Sequence, residues 1–273
     1  MPLVFTLKKR TDGNIDLSPL TPDKLAGRNI NAIRAVKLNA GGHRIAVREL
    51  FDVTGEDSEF IQLRRCSGGL SRIGHDMSRG IIEVRGHAGD YLGEDMSGGR
   101  INVQGDAGDW TATGMSGGRI AISGDAGNFT GAALVHKAHG MSGGAVTIEG
   151  NAGDRTGDRM RRGMIIVLGQ AGSYTGSRMI AGTIVVLGRT DNHAGYGMKR
   201  GTIVLGKRPL KLSPAFSSCG KLKMEFLRLF YKQIAGMGRR FRFFREFGPE
   251  VQRYAGDISV DGKGEILIMI SGV

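Results

Sequence analysis

Cysteine is scarce in this sequence, where Cys66 and Cys219 are the only two cysteines among 273 residues. Two thiols are too few for a disulfide framework or for an iron–sulfur cluster held by cysteines. A chain so poor in cysteine is typical of a reducing compartment.

Long apolar runs are also missing. No stretch approaches the roughly 20 apolar residues that a helix needs to span a bilayer. Residues 1–10, MPLVFTLKKR, have a strand-like pattern, with no long apolar core behind a basic start and no cleavage site for a signal peptide. We therefore expect a cytoplasmic protein that has no membrane partner.

Proline is infrequent, with 6 residues, whereas glycine is in large excess, with 46. Ordinary usage would place glycine at only about 7% of positions. Because 40% of the residues are hydrophobic, disorder is disfavoured, and we expect the glycines to hold fixed backbone positions around a packed interior. The net charge of +12 indicates an acidic partner but does not distinguish nucleic acid, anionic membrane and acidic small molecule.

The methionines reveal an internal repeat. They follow one another at intervals of 19, 19, 26, 19, 19 and 19 residues, at Met77, Met96, Met115, Met141, Met160, Met179 and Met198. We call the segment that begins at each of these residues a repeat. The 26-residue interval means that the third repeat carries an insertion, which we place near residues 134–139.

Each repeat has the pattern of one short strand. A glycine stands three residues after every one of these methionines, at Gly80, Gly99, Gly118, Gly144, Gly163, Gly182 and Gly201. The side chains five and seven residues after the methionine are apolar and mostly β-branched, as Ile101 and Val103 are. This period of two predicts a strand with one buried face.

A unit of 19 residues is too short for a parallel crossover through a helix, which takes about thirty. The chain must therefore return by turns, and each strand pairs with its equivalent in the next repeat. The sequence predicts a mainly β fold, a right-handed parallel β-helix of about seven 19-residue coils with mixed α/β capping segments. Independent hairpins and a leucine-rich-repeat horseshoe are disfavoured, because the hydrophobic columns keep one register and no leucine/asparagine ladder is present.

Three segments follow from this pattern: an N-terminal capping segment at 1–62, a glycine-rich β-helix at 63–206 and a basic C-terminal cap with a helix at 207–273. The first contains a predicted helix at 21–26, with Thr21 as its cap, and a predicted strand at 45–51. The last holds 13 basic and 6 acidic residues, a net charge of +7. Its apolar residues predict a helix over 222–234 that is apolar on two sides. Such a helix packs either against its own chain alone or against another subunit as well.

Two serines match the G-x-S-x-G pattern of a catalytic nucleophile, Ser116 and Ser142. That pattern requires a turn from a strand into a helix, whereas here it recurs at a corner of the repeat. We expect neither serine to be catalytic, and the sequence presents no other set of catalytic residues.

The insertion contains His136 and His139, a spacing that occurs in metal sites. No neighbouring carboxylate or cysteine completes a ligand set, so we expect no metal site in this chain. Asp106 and Asp125 stand at equivalent corners and are candidates for paired carboxylates. We expect them to accept hydrogen bonds from turn amides instead, chiefly those of their own following backbone.

Basic residues also occupy equivalent corners, Arg161 and Arg162 in one repeat and Lys199 and Arg200 two repeats later. Regular stacking would place the two pairs roughly 10 Å apart. An anionic chain fits along such a row, although a solvated charged corner is the ordinary alternative.

The glycines recur as Gly-x-x-Gly-x-x-x-Gly at 86/89/93, 124/127/131, 150/153/157 and 169/172/176. This repetition resembles the C-terminal β-helix domain of glutamate synthase. With its capping segments and the ending YAGDISVDGKGEI at 254–266, the chain is similar to the subunit designated C in formylmethanofuran dehydrogenase. The arginine-rich, cysteine-poor composition favours the bacterial branch of that family, the formyltransferase/hydrolase complex. Ala112 and Asp191 stand where the pattern has glycine, which puts the geometry of two corners in question.

The resemblance implies a cytoplasmic hetero-oligomer that transfers a formyl group from formyl-tetrahydromethanopterin to methanofuran and then releases formate. Partner subunits, an amidohydrolase-like subunit and a formyltransferase, would hold the chemistry, with metal only on the amidohydrolase. This chain would be a scaffold. The family's methanofuran carries a glutamate-rich tail, and Arg161, Arg162, Lys199 and Arg200 are our candidates for binding it.

Two alternatives stay open. The chain could be the equivalent subunit of a redox formylmethanofuran dehydrogenase, because the cofactors that distinguish the two complexes would lie on partners. It could instead be a free-standing module that binds an acidic polymer or nucleic acid through the basic and aromatic residues at 239–245. In our leading interpretation, the chain does not bind nucleic acid.

Overall fold

The structure is a computed structural model, and it describes residues 1–9 and 13–270. Arg10, at the end of the strand-like N-terminal stretch, and the last three residues of the C-terminal segment lie outside the described residues. The strands are β1 (Pro2–Leu7), β2 (Ile15–Asp16), β3 (Lys37–Ala40), β4 (His43–Ala46), β5 (Phe51–Thr54), β6 (Asp57–Cys66), β7 (Leu70–Ser71), β8 (Ile81–Gly86), β9 (Arg100–Val103), β10 (Arg119–Ile122), β11 (Ser142–Ile148), β12 (Arg162–Val167), β13 (Thr183–Val186), β14 (Thr202–Leu205), β15 (Ser217–Lys223), β16 (Glu250–Gly256) and β17 (Gly264–Met269). The α-helices are α1 (Pro22–Leu25), α2 (Ile30–Ala35), α3 (Val47–Leu50) and α4 (Phe226–Ala235), and 3₁₀ helices occupy Arg239–Glu246 and Ile258–Val260.

One large sheet dominates the fold. Its 13 strands lie in the order β15-β16-β17-β14-β13-β12-β11-β10-β9-β8-β6-β1-β5, and β4-β3-β2-β7 form a smaller sheet. All pairings from β17 to β1 in this order are parallel, whereas the outermost strands at both edges pair antiparallel. The prediction of a mainly β chain with stacked parallel strands is confirmed.

The repeat sets the register of the sheet. The apolar residue five positions after each methionine pairs with its equivalent in the neighbouring repeat, along Ile82, Ile101, Ile120, Val146, Ile165, Ile184 and Ile203, and the column continues to Ile266 in β17. The insertion does not disturb this register, because Ile120 still pairs with Val146. Columns of like side chains therefore run through the whole stack.

A second ladder joins the repeats away from the main sheet. Isolated parallel bridges connect Ala107, Ala126, Ala152, Ala171 and Thr190 in succession. The seven repeat methionines are fully buried, at 0% exposure, in one apolar cluster with the strand columns. Each buried methionine side chain contributes roughly 1.5–3 kcal/mol to folding.

The methionine of one repeat explains the glycine of the next. Gly118 has φ +82°, and a Cβ built on it would lie 2.7 Å from Met96 Cε and 2.8 Å from the carbonyl oxygen of Gly98. Gly99 faces the methyl group of Met77, and Gly144 that of Met115, in the same way. We call this contact the Met–Gly interlock. It requires glycine twice, for the left-handed backbone and for the space that the methyl group fills.

The two corners that depart from the glycine pattern keep its geometry. Ala112 adopts φ +59° and its N–H donates to the Leu92 carbonyl at 2.7 Å, as Gly131 donates to Thr111. The N–H of Asp191 donates to the Ala171 carbonyl at 3.2 Å. The substitutions therefore change the side chain at these corners and leave the backbone path intact.

The outward face of the sheet changes character along the stack. One outward column reads Glu83, Asn102, Ala121 and Thr147, and then Ile166, Val185, Val204 and Leu267. The apolar half of this column is buried under Leu227, Tyr231 and Ile234 of α4. Helix α4 thus covers the later repeats, where covering removes apolar surface from water.

The predicted helix over 222–234 was wrong at its start. Residues Ser217–Lys223 form β15, which pairs antiparallel with β16, and α4 begins at Phe226. The expectation of two apolar sides holds for the sequence of α4: Leu227, Tyr231 and Ile234 face the sheet, whereas Phe226 and Leu229 stay 50% and 73% exposed.

Two expectations in the N-terminal segment have different outcomes. Helix α1 is present with Thr21 at its N-cap position, but the hydroxyl group makes no capping hydrogen bond. The predicted strand at 45–51 was wrong in its middle, where α3 separates β4 from β5. The carboxylate of Glu49 accepts a hydrogen bond from the N–H of Ala46 at 3.1 Å and closes a helical turn there. No helix among the described residues is long and apolar enough to cross a bilayer.

The Met–Gly interlock makes a stability prediction for Gly118→Ala. Adding a Cβ to a residue in the left-handed region costs roughly 1–2 kcal/mol of folding free energy, and overpacking against the methionine costs roughly 1–3 kcal/mol more. We expect Gly118→Ala to lower the free energy of unfolding by roughly 3 kcal/mol in urea denaturation. Gly42→Ala is the matched control, because Gly42 has φ +89° and open space around its Cβ position. Equal losses in the two variants would show that the interlock adds nothing to the cost of the backbone conformation.

Candidate functional site

Three of the four predicted basic residues, Arg161, Lys199 and Arg200, lie at the turns that lead into β12 and β14, and Arg162 is the first residue of β12. The N–H of Arg161 donates to the Met141 carbonyl, and the N–H of Lys199 donates to that of Met179, both at 2.8 Å. All four side chains are exposed, and none forms an ion pair with another described residue. The repeat between the two pairs carries Ile180 and Ala181 at these positions, so the basic row has an apolar gap.

A second pair of basic residues escaped the sequence analysis. Arg100 and Arg119 begin β9 and β10, and the parallel register places them directly side by side. Both are exposed and point to the outward face of the sheet. They share a position four residues after their methionines, and a search of every repeat position for equal charge would have found them.

These arginines line a cleft of about 320 Å³. Its other walls are formed by Gly236 and Met237 after the end of α4 and by the polar Asn102 and Thr147 and the apolar Ile120, Ala121 and Ala145 of the sheet. The cleft lies where the polar part of the outward face meets the part that α4 covers.

The insertion forms a second cleft on another side of the stack. Lys137 contacts both carboxylate oxygens of Asp95, at 2.5 and 2.6 Å, and this ion pair ties the insertion to an earlier repeat. The cleft has a volume of about 420 Å³ and is lined in part by Tyr91, Trp110 and Val135. Trp110 stacks on Phe129 with the ring centroids 4.2 Å apart.

The histidines of the insertion do not belong to a cluster of metal-ligating residues. His136 is exposed and lines the cleft, and His139 is half-buried. Among residues 1–9 and 13–270, no three His, Cys, Asp or Glu side chains lie close enough together to hold a metal ion.

Carboxylates and amides form two ladders along the corners. Asp106 accepts a hydrogen bond from the Asp125 amide at 2.9 Å, and Asp125 accepts one from the Asn151 amide at 2.7 Å. Asp109 accepts in the same way from Asn128, in the parallel ladder. Asp106 and Asp125 therefore cap backbone amides as expected, but the amides belong to the next repeat and not to their own following backbone.

The two serines and the two cysteines complete the set of candidate residues. Ser116 precedes strand β10 and Ser142 is the first residue of β11, so neither serine leads into the helix that a nucleophile elbow requires. Burial raises the pKa of the Cys66 thiol to about 12, which keeps it protonated at neutral pH. Cys219 is exposed in β15.

The basic and aromatic residues at 239–245 form a 3₁₀ helix that packs on α4 and the sheet. Phe241 and Phe244 are buried in the same cluster as Tyr231. Arg240 lies 3.4 Å from a carboxylate oxygen of Glu149. These aromatic rings are therefore core residues and are not available to stack on nucleic-acid bases.

The ladder predicts different outcomes for two variants of Asp125. Asn keeps an acceptor oxygen, as Asn151 does at the equivalent position of the next repeat and Asn128 does in the ladder of Asp109. Asp125→Asn should leave the free energy of unfolding nearly unchanged, whereas Asp125→Ala should lower it by about 1 kcal/mol, because the Asn151 amide loses its acceptor. Urea denaturation compares the two. Equal destabilisation by both variants would show that the negative charge matters, and not the hydrogen bond.

The repeats of this chain match a known family. The family model described as the GXGXG motif matches residues 72–213. The subunit designated C in the tungsten-containing formylmethanofuran dehydrogenase 2 of Methanococcus maripaludis is 32% identical over 92 residues, which cover 33% of this chain and 34% of that protein. Its counterpart in the molybdenum-containing formylmethanofuran dehydrogenase 1 of Methanosarcina barkeri is 36% identical over 92 residues, 32% of this chain and 31% of that protein. The matched region thus spans about a third of the length of these curated relatives.

A solved structure matches over nearly the whole chain. It is the crystal structure of the formyltransferase/hydrolase complex of Methylorubrum extorquens with methylofuran. One chain of that complex superposes with a TM-score of 0.90 and 35% identity, over 98% of this chain and 100% of that chain. The chain therefore belongs to the GXGXG-motif family and, within it, to the family that comprises these formylmethanofuran dehydrogenase subunits and the matched subunit of the formyltransferase/hydrolase complex.

Proposed function

We propose that the chain is a scaffold subunit of a formyltransferase/hydrolase complex. This complex would transfer a formyl group from formyl-tetrahydromethanopterin to methanofuran and hydrolyse formylmethanofuran to formate. The observation that carries the proposal is the agreement with one chain of the Methylorubrum complex over 98% of the residues. The surroundings of the candidate catalytic groups support a scaffold, because Asp106 and Asp125 cap amides and Cys66 is buried.

The scaffold is, in this proposal, a right-handed parallel β-helix of about seven 19-residue coils. Parallel ladders on two sides of the buried methionines support a closed coil, and parallel crossovers are right-handed in about 98% of cases. The capping segments at 1–62 and 207–273 would close a β-helix at 63–206. Strands β5 and β15 form the two edges of the large sheet and lie in these outer segments.

Partner subunits would carry the chemistry. An amidohydrolase-like subunit with its metal would hydrolyse formylmethanofuran, and a separate formyltransferase would load it, with all subunits in the cytoplasm. The exposed side of α4, with Phe226 and Leu229, offers an apolar surface for the packing of a partner.

Arg161, Arg162, Lys199 and Arg200 would guide the acidic tail of methanofuran. They are exposed, and each lacks an ion-pair partner among the described residues, so their charges are open to an anionic chain. The apolar gap at Ile180 and Ala181 makes this a track of two separate contact points.

The equivalent subunit of a redox formylmethanofuran dehydrogenase is the second candidate, and the local identity to the tungsten and molybdenum enzymes favours it. The free-standing module for an acidic polymer loses its main argument, because Phe241 and Phe244 are buried in the core.

Purification from the native cell extract tests the proposal. We expect the tagged chain to bring down an amidohydrolase-like subunit and a formyltransferase, identified by mass spectrometry, together with formate-releasing activity. Recovery of a molybdopterin subunit with iron–sulfur proteins would show that the chain belongs to the dehydrogenase and not to this complex. A chain that elutes alone at low salt would contradict both.

Charge reversal tests the tail contact in the purified complex. The quadruple variant R161E/R162E/K199E/R200E should raise the KM for methanofuran roughly tenfold at low salt with little change in kcat, since the charges attract the tail and take no part in the reaction. The difference from wild type should shrink above about 0.1 M salt, where the Debye length falls below about 10 Å. The control is R239E/R242E/R245E, which reverses exposed charges elsewhere. The same KM in the quadruple variant and the wild type would exclude the tail contact.

A further inference from the structure

The cleft between the sheet and the end of α4 concentrates positive charge at a fixed place. Arg100 and Arg119 pair residue for residue across parallel strands, so their backbones are roughly 4.8 Å apart. Both side chains point outward on the same face. Like charges that are directly opposite in a sheet are destabilising. The arrangement therefore has a cost that a bound anion would offset.

The acidic residues of this face already have partners. Glu83 accepts a hydrogen bond from the side-chain amide of Gln62 at 3.1 Å, and Glu149 lies 3.4 Å from Arg240. Arg100 and Arg119 have neither a side-chain hydrogen bond nor an ion pair within the described part of the chain. The cleft thus holds two guanidinium groups with their donors free.

The other polar groups of the cleft suit an acceptor-rich ligand. Asn102 contributes a side-chain amide with no partner among the described residues, and Thr147 contributes a hydroxyl group that makes one long bond, 3.4 Å, to the Ile120 carbonyl. Two guanidinium groups supply planar forks of N–H donors that match carboxylates in bidentate geometry. A volume of about 320 Å³ is that of a site for a small ligand or a short segment.

The end of α4 does not itself attract an anion. The cleft is bordered by Gly236, which caps the C-terminal end of the helix, where carbonyl groups carry partial negative charge. Phosphate sites use the N–H groups at the opposite end of a helix. Binding here therefore depends on the two side-chain forks, which offer separate places for two carboxylates on neighbouring strands.

We propose that this cleft binds a ligand with two carboxylates, one on Arg100 and one on Arg119. A free dicarboxylate and the neighbouring side chains of a polyglutamate chain present the same chemistry. The site is distinct from the basic row at Arg161 to Arg200, and its existence does not depend on the proposed function.

Calorimetric titration of the full chain, alone and in the purified complex, tests the proposal at low ionic strength with glutarate, triglutamate and inorganic phosphate as probes. We expect the two carboxylate probes to bind more tightly than phosphate. Arg100→Gln and Arg119→Gln should each weaken binding about tenfold or more, because each removes a charge-assisted bidentate contact. Tighter binding of triglutamate than of glutarate would identify a polyglutamate chain as the ligand. Equal binding of the two probes would identify a free dicarboxylate.

Arg85→Gln is the matched control. Arg85 is exposed on the same outward face and also pairs in register with an arginine, Arg64, but it lies outside the cleft. The Arg85→Gln variant should therefore bind the carboxylate probes as tightly as the wild type does. The variant R100K/R119K keeps both charges and the fold while it removes the planar forks, and it should also bind weakly. An equal loss in Arg85→Gln, tighter binding of phosphate, or no binding by the wild-type chain in either form would overturn the proposal.

Discussion

The Met–Gly interlock is the contact on which the rest of the structure depends. The methyl groups of the first six repeat methionines, Met77 to Met179, each fill the space beside a glycine of the next repeat, where a Cβ would stand 2.6–3.1 Å away. A shift of one residue in either repeat would expose the methionine and force a side chain onto a left-handed backbone. The contact therefore fixes the register, and the register places like residues in columns. The insertion of the third repeat is accommodated because it leaves the interlock of Met115 with Gly144 intact.

Because the interior is determined by this contact, the outward face is free to vary, and its variation decides where other parts of the molecule lie. Apart from Ala121, the outward column is polar up to Thr147, and it is apolar from Ile166 onward. Helix α4 covers the apolar part, and its end creates the wall of the arginine cleft. The same sequence gradient thus positions the C-terminal segment and the candidate site.

The local pattern of the sequence was sufficient for the repeat, the strands and the parallel sheet, because each depends on spacing within about 19 residues. Two of the failures have non-local causes. Leu222 was predicted to begin a helix but pairs with Val251 in an antiparallel ladder. The carboxylate of Asp125 accepts its hydrogen bond from an amide of the next repeat, and not from its own following backbone. The pairing of Arg100 with Arg119 was missed for a different reason, because the repeat was defined by its methionine, glycine and apolar positions and the charged position between them was left out. The four basic corner residues were placed on the surface by their spacing, but spacing does not identify the anion that they bind.

Stacked repeats also bring like charges together, as Asp90 with Asp109 and Asp106 with Asp125, and some columns of this protein relieve that repulsion. The ladder from Asp109 continues through the neutral Asn128 before Asp154, and Asp125 is followed by Asn151. In the arginine column at β6 and β8, Arg64 donates a hydrogen bond to Gln62. Arg100 and Arg119 have no such relief, although the face offers the carboxylates of Glu83 and Glu149, both engaged elsewhere. Their two adjacent charges have no acidic partner among the described residues, so the acceptors that their guanidinium groups bind must come from water or from an anion outside the chain.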